Sequence, residues 1–116
     1  MKKTTAIVLL LIGTVFAACT KKASPAKAPK EVPVTFVKDI QPLMYARCAN
    51  CHIPSKGGKK GDFETYESAK RYAAEILDRV MIAKGQRGFM PKNGEKLPDT
   101  EIALIKKWID QGLLEK

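Results

Sequence analysis

Apolar residues recur at helical spacing in three stretches, and strict alternation never lasts more than a few residues. The first stretch carries Phe36, Ile40, Leu43 and Met44 and leads into Cys48. Pro42 suits only the first turn of a regular helix, because it has no N–H to donate from an interior position. The spacing therefore predicts a helix over roughly 38–50. A second stretch places apolar side chains at 66, 69, 73, 76, 77, 80 and 81, with Glu67, Lys70, Arg71, Glu75, Asp78 and Arg79 on the other face. Asp62 or Thr65 suits the cap at its start, and Gly85 and Gly88 suit its end. Periodicity leaves open whether this is one helix or two with a bend near Ala73-Ala74. The third stretch runs from about Asp99 to Gln111, with Ile102, Ile105, Trp108 and Ile109 inward and Met81 and its neighbours on the second helix as further core. Asp99 and Glu101 complement the positive end of that last helix, and Gly112 suits its stop. The pattern predicts an all-α fold of three to four helices.

Between the helices lie two loops by composition. Ile53-Pro54 and Ser55 to Gly61 hold three glycines available for left-handed turns, and Gly85 to Pro98 holds three more. The N-terminus is of another kind. Lys2 and Lys3 precede an apolar run from Ala6 to Ala17, shorter than the ~20 residues that a membrane span needs. It fits the core of a secretory signal. Cys19 directly after Ala17-Ala18 resembles a bacterial lipobox, with Phe16 where Leu is usual. That resemblance implies a lipidated Cys19 as the mature N-terminus; the alternative is plain cleavage after Ala18, leaving a free thiol. Thr20 to Pro33 repeats Lys, Ala and Pro without apolar periodicity and reads as an extended tether. The 116 residues thus divide into a signal segment (1–18), a lipidated cysteine with its tether (19–33) and one small domain (34–116).

Removal of the signal takes Lys2 and Lys3 with it and lowers the formal charge from +9 to +7. A moderately basic exported domain suits an acidic partner protein or anionic headgroups. No nucleic-acid motif is present, and no nucleic-acid partner is expected.

The chemistry concentrates in Cys48-Ala49-Asn50-Cys51-His52, which reads as a covalent haem attachment site. Two thiols three positions apart lie about one helical turn from each other, within reach of one porphyrin edge. The next residue can then offer its imidazole to the iron. A redox dithiol would want a strand and a βαβ setting. A structural zinc site needs four ligands and finds no second pair once Cys19 is spent. One cysteine for lipid and two for haem account for all three. His52 is the sole histidine, so two histidine ligands from one chain are impossible. Among the methionines, Met44 sits too close to the attachment site on the same helix, and Met81 reads as core. Met90 lies in a glycine-flanked loop, stiffened by Pro91, and is the favoured second ligand. Lysines, an open position or a ligand from another molecule remain alternatives.

Residues from about Phe36 to Gly112 resemble the small monohaem class I cytochrome c domains of bacteria. The resemblance rests on Asp39-Ile40 with Pro42, Cys48-x-x-Cys51-His52, Gly57-Gly58, Met90-Pro91, and Ile102-x-x-Ile105-x-x-Trp108-Ile109 leading to Gly112. It implies terminal helices crossing over one covalently bound haem c, with His52 proximal and Met90 distal. Lys92 stands where many relatives have a second proline, and Pro98 where many have a serine cap.

An iron held by His and Met has no position free for substrate, and Met/His ligation raises the reduction potential. The expected function is one-electron transfer by a carrier, not an enzyme, on the periplasmic face of a bacterial membrane. Thr20 after Cys19 mildly favours the outer membrane. Lys56, Lys59, Lys60 and Lys92 are candidate contacts for redox partner proteins. The competing readings are a small-ligand sensor or peroxidase-like enzyme with a displaceable Met90, and a haem-bearing accessory subunit of a larger respiratory enzyme.

Overall fold

Val34 is where the polypeptide turns inward: Val32 beside it is exposed, whereas Val34, Thr35 and Phe36 are buried. The structure, a computed structural model, describes residues 31–116. The expected signal segment, Cys19 and the part of the expected tether up to Lys30 lie outside the described residues. Among the described residues every regular element is helical, in keeping with an all-α cytochrome c-like fold.

The chain enters through a π-helical turn, Phe36–Ile40, closed by the Gln41 N–H donating to the Phe36 carbonyl. The Asp39 carboxylate reaches back to accept the Thr35 N–H at 2.9 Å, fixing the entry. Helix α1 follows directly as Gln41–His52, with Pro42 in its first turn, where no N–H is needed. The periodic pattern placed this helix at 38–50. It ends later because loop amides cap its last carbonyls, so the whole attachment motif stays helical.

Helix α2, Tyr66–Met81, begins at Thr65, whose hydroxyl accepts the Ser68 N–H at 3.3 Å. Asp62 caps elsewhere, accepting from the Glu64 N–H and the Ser68 hydroxyl. The helix passes Ala73-Ala74 without a break and buries Ala69, Ala73, Ile76 and Val80. It stops short of Gly85, with Ile82 already extended. Met81 corrects the sequence reading: it is 59% exposed, because the last turn of α2 outruns the core.

Helix α3, Asp99–Asp110, is halted at Gly112, whose φ of +89° an L side chain adopts only with strain. The chain then doubles back beside its own entry. Phe36 and Val37 donate to the carbonyls of Leu114 and Glu115 at 2.8 and 3.0 Å, and Val34 donates to Gln111 Oε1 at 2.7 Å. Trp108, fully buried, donates its indole N–H to the Leu114 carbonyl at 2.9 Å. Phe36 lies between Tyr66 and Trp108, 5.9 Å from each ring centre, and so joins the entry turn to α2 and α3. Across the surface, Arg47 of α1 grips Glu101 of α3 through two hydrogen bonds, at 2.7 and 2.9 Å. This frame leaves the last turn of α1 and the loop after α2 free to carry chemistry.

Candidate functional site

The last turn of α1 holds Cys48, Cys51 and His52. A helix end leaves four carbonyls without intrahelical partners. Here the following loop supplies them: Ile53 N–H bonds Ala49 O at 3.2 Å, Lys60 N–H bonds Cys51 O at 2.9 Å and Phe63 N–H bonds His52 O at 2.9 Å. The loop between is turned tightly by Lys56 and Gly58 amides on the Ile53 carbonyl. Gly57 supplies a positive φ of 86°. Gly58 has a different task. A Cβ there would sit 2.6 Å from the Ile53 nitrogen and 2.8 Å from the Cys51 carbonyl carbon, so any side chain would push against the attachment turn itself.

His52 is oriented by its ring nitrogen. Nδ1 lies 2.7 Å from the Gly61 carbonyl. A carbonyl can only accept, so Nδ1 is the donor, and in the neutral ring Nε2 is the nitrogen whose lone pair is left for a metal. Phe63 lies flat against the imidazole, with ring centres 4.0 Å apart and planes 3° from parallel. Cys48 is half-buried and Cys51 exposed, and both are free thiols. Burial, then the neighbouring Cys51, then Glu101, push the Cys48 thiol up to about 11, so it stays protonated at neutral pH. Two free thiols and a nitrogen lone pair on one helical turn are the donor set that a covalently attached haem requires. Among the described residues no group of three or more His, Cys, Asp and Glu side chains is placed to hold a metal ion.

Glu64 braces this turn from outside. It accepts the Tyr45 hydroxyl at 2.8 Å and the Ser55 N–H at 3.0 Å, linking α1 to the loop. The Ser55 side chain and backbone, and then Tyr45, hold its carboxyl below the ordinary value of 4.5. A carboxyl lowered on folding contributes stability that is present above its unfolded value and fades as pH falls through its folded one. Glu64→Gln is therefore expected to unfold at lower urea than the parent at pH 7, and the two midpoints should converge below pH 4.5. An equal gap at pH 7 and pH 3 would count against the brace.

Met90 stands apart, in the loop joining α2 to α3. Its N–H donates to the Arg79 carbonyl at 3.2 Å, which folds the loop back onto the end of α2. Phe89 beside it is buried, Leu97 anchors the far end in the core, and Lys84 pairs with Glu95 across the loop. The Met90–Pro91 peptide is cis. Met90 lines a surface recess with Arg79, Phe89 and Gly94, one that Cys48, Cys51 and His52 do not line. The structure thus groups three of the four proposed haem-binding residues and holds the fourth on a separate braced loop. Cys19 lies outside the described residues. The sequence reading missed Gly61, Phe63, Glu64 and Tyr45. Gly61 was visible only as one of the loop glycines, and Phe63 as a single aromatic in an otherwise polar run from 55 to 65.

An all-helical frame with a capped Cys-x-x-Cys-His turn defines a small class I monohaem cytochrome c. Residues 36–109 match the family model described as cytochrome C oxidase, cbb3-type, subunit III, and the chain belongs to that family of cytochrome c domains. No curated protein and no solved structure matches the chain. Family membership brings a covalently bound haem c, which supplies an iron able to gain and lose one electron, and with it haem-based electron transfer and redox partners.

Proposed function

We propose that the chain is a membrane-tethered one-electron carrier. In this reading Cys48 and Cys51 hold the haem covalently, His52 is its proximal ligand and Met90 its distal one. Cys19 carries the lipid that keeps the domain at the periplasmic face of a bacterial membrane, and the outer membrane is mildly favoured. The observation that supports the reading most is the His52 arrangement: Nδ1 is committed to Gly61, and Nε2 is left as a donor on the same turn as two free thiols. The thioether of Met90 is the soft donor carried on a loop, whereas Met44 is buried on the inner face of α1 and Met81, though exposed, is the last residue of α2.

The chain's own residues suit transfer without bond-making. His52 is held from two directions, so it has little to rearrange when charge changes. Lys56, Lys59, Lys60 and Lys92 are exposed and form no ion pair among the described residues, whereas Lys84, Lys96, Lys106 and Lys107 each do. Unpaired ammonium groups on the loop after Cys51 and on the Met90 loop favour brief docking of an acidic partner through a small interface. Among the described residues no helix is long and apolar enough to cross a membrane.

Carbon monoxide tests the closed ligation. Added to the reduced protein at neutral pH, it is expected to leave the absorption spectrum unchanged over minutes. Rapid, saturable binding would mean that Met90 does not occupy the distal side, and would move the reading to a ligand-binding haem protein.

A further inference from the structure

We propose that Phe63, backed by Tyr72, fixes the plane of the His52 imidazole, so that one rotational setting of the iron ligand is built into the polypeptide. This rests on the reading of His52 as proximal ligand. An imidazole bound through one nitrogen can still turn about that bond. The hydrogen bond from Nδ1 to the Gly61 carbonyl limits the turn only loosely, because carbonyl oxygens accept over a broad range of directions. A ring lying 4.0 Å away and within 3° of parallel is a stricter limit, since rotation drives the imidazole edge into its face.

Phe63 can act in this way because it is itself held by backbone and side chain. Its N–H is bonded to the His52 carbonyl at 2.9 Å, and its side chain is buried. Tyr72 of α2 packs against it at 5.6 Å between ring centres, tilted by 55°. The same tyrosine ring lies against Gly61, where an added Cβ would approach it to 3.3 Å. One α2 side chain therefore backs both the carbonyl that accepts from Nδ1 and the ring stacked on the imidazole. Phe63 is a positioning residue: it touches the ligand, not the reacting atoms.

The experiment uses the haem-loaded, oxidised full chain and proton NMR. The order and spread of the haem-methyl shifts report the plane of the axial imidazole, and hyperfine-shifted His52 ring protons report ligation. Phe63→Leu keeps apolar volume and removes the flat ring. It is expected to reorder or compress the methyl shifts and to raise exchange of the Nδ1 proton by up to roughly tenfold. Phe63→Tyr should restore the parent pattern. Val34→Ala, a core substitution at the entry segment, should lower stability and leave the pattern alone. An unchanged methyl pattern in Phe63→Leu overturns the proposal. Should that variant fail to take up haem, Tyr72→Leu carries the same test, with the same two outcomes. Absence of hyperfine shifts on His52 in the parent would instead overturn the ligand reading, a result visible before any variant is made.

Discussion

Alanine at both Cys48 and Cys51 is expected to turn the haem into a group that acidified organic solvent extracts almost completely. The parent should keep it through the same treatment and through a denaturing gel, and each single variant should keep it by the remaining bond. The expectation follows from where the thiols sit. Both lie on the last turn of α1, unpaired, with the loop amides of Lys60 and Phe63 holding the carbonyls around them. Haem retained by the double variant after extraction would show that attachment lies elsewhere.

Trp108→Ala is the second large expectation. The side chain is fully buried, touches Phe36 and closes the chain end through its bond to Leu114. Emptying such a site costs about 3–5 kcal/mol. A domain of under ninety residues has about 4–13 kcal/mol in total. The variant is expected to lose most of its resistance to urea, followed by far-ultraviolet circular dichroism in the same haem-loaded state. Trp108→Phe keeps most of the volume and forfeits the indole hydrogen bond, worth about 1 kcal/mol. A parent-like midpoint in Trp108→Ala would mean that the tail and the entry segment do not depend on that contact.

The helices were readable because each buries one stripe, and spacing alone reveals a stripe. Spacing could not tell where the core stops. Met81 continues the periodicity of Leu77 and Val80 yet is exposed, since nothing packs over the last turn of α2. The helix carrying Cys48 runs on to His52 for a similar reason: its final carbonyls are bonded by amides from a loop, and amides leave no mark in a sequence.

The candidate site was legible as residues and opaque as geometry. Cys48, Cys51 and His52 announce themselves because the chemistry demands those side chains in that order. The partner of His52 is a backbone carbonyl at Gly61, which any residue could provide. The glycines of that loop looked like a supply of left-handed turns, and only Gly57 among them has a positive φ. Gly58 is needed for the absence of its Cβ against Ile53 and Cys51, and Gly61 for the room it gives Tyr72. Close approach is a property of three dimensions, so composition suggested the right residues for another reason. Glu64 was unreadable too, because its partners Tyr45 and Ser55 are brought to it only by the fold.

The proposal that His52 and Met90 together close the iron is tested most directly by absorption spectra of the oxidised parent and of Met90→Ala, recorded side by side. The parent is expected to show the weak far-red band of a thioether bound to ferric iron, and the variant to lack it while keeping its covalent haem. A parent spectrum without that band, or one that Met90→Ala leaves unchanged, would contradict the account.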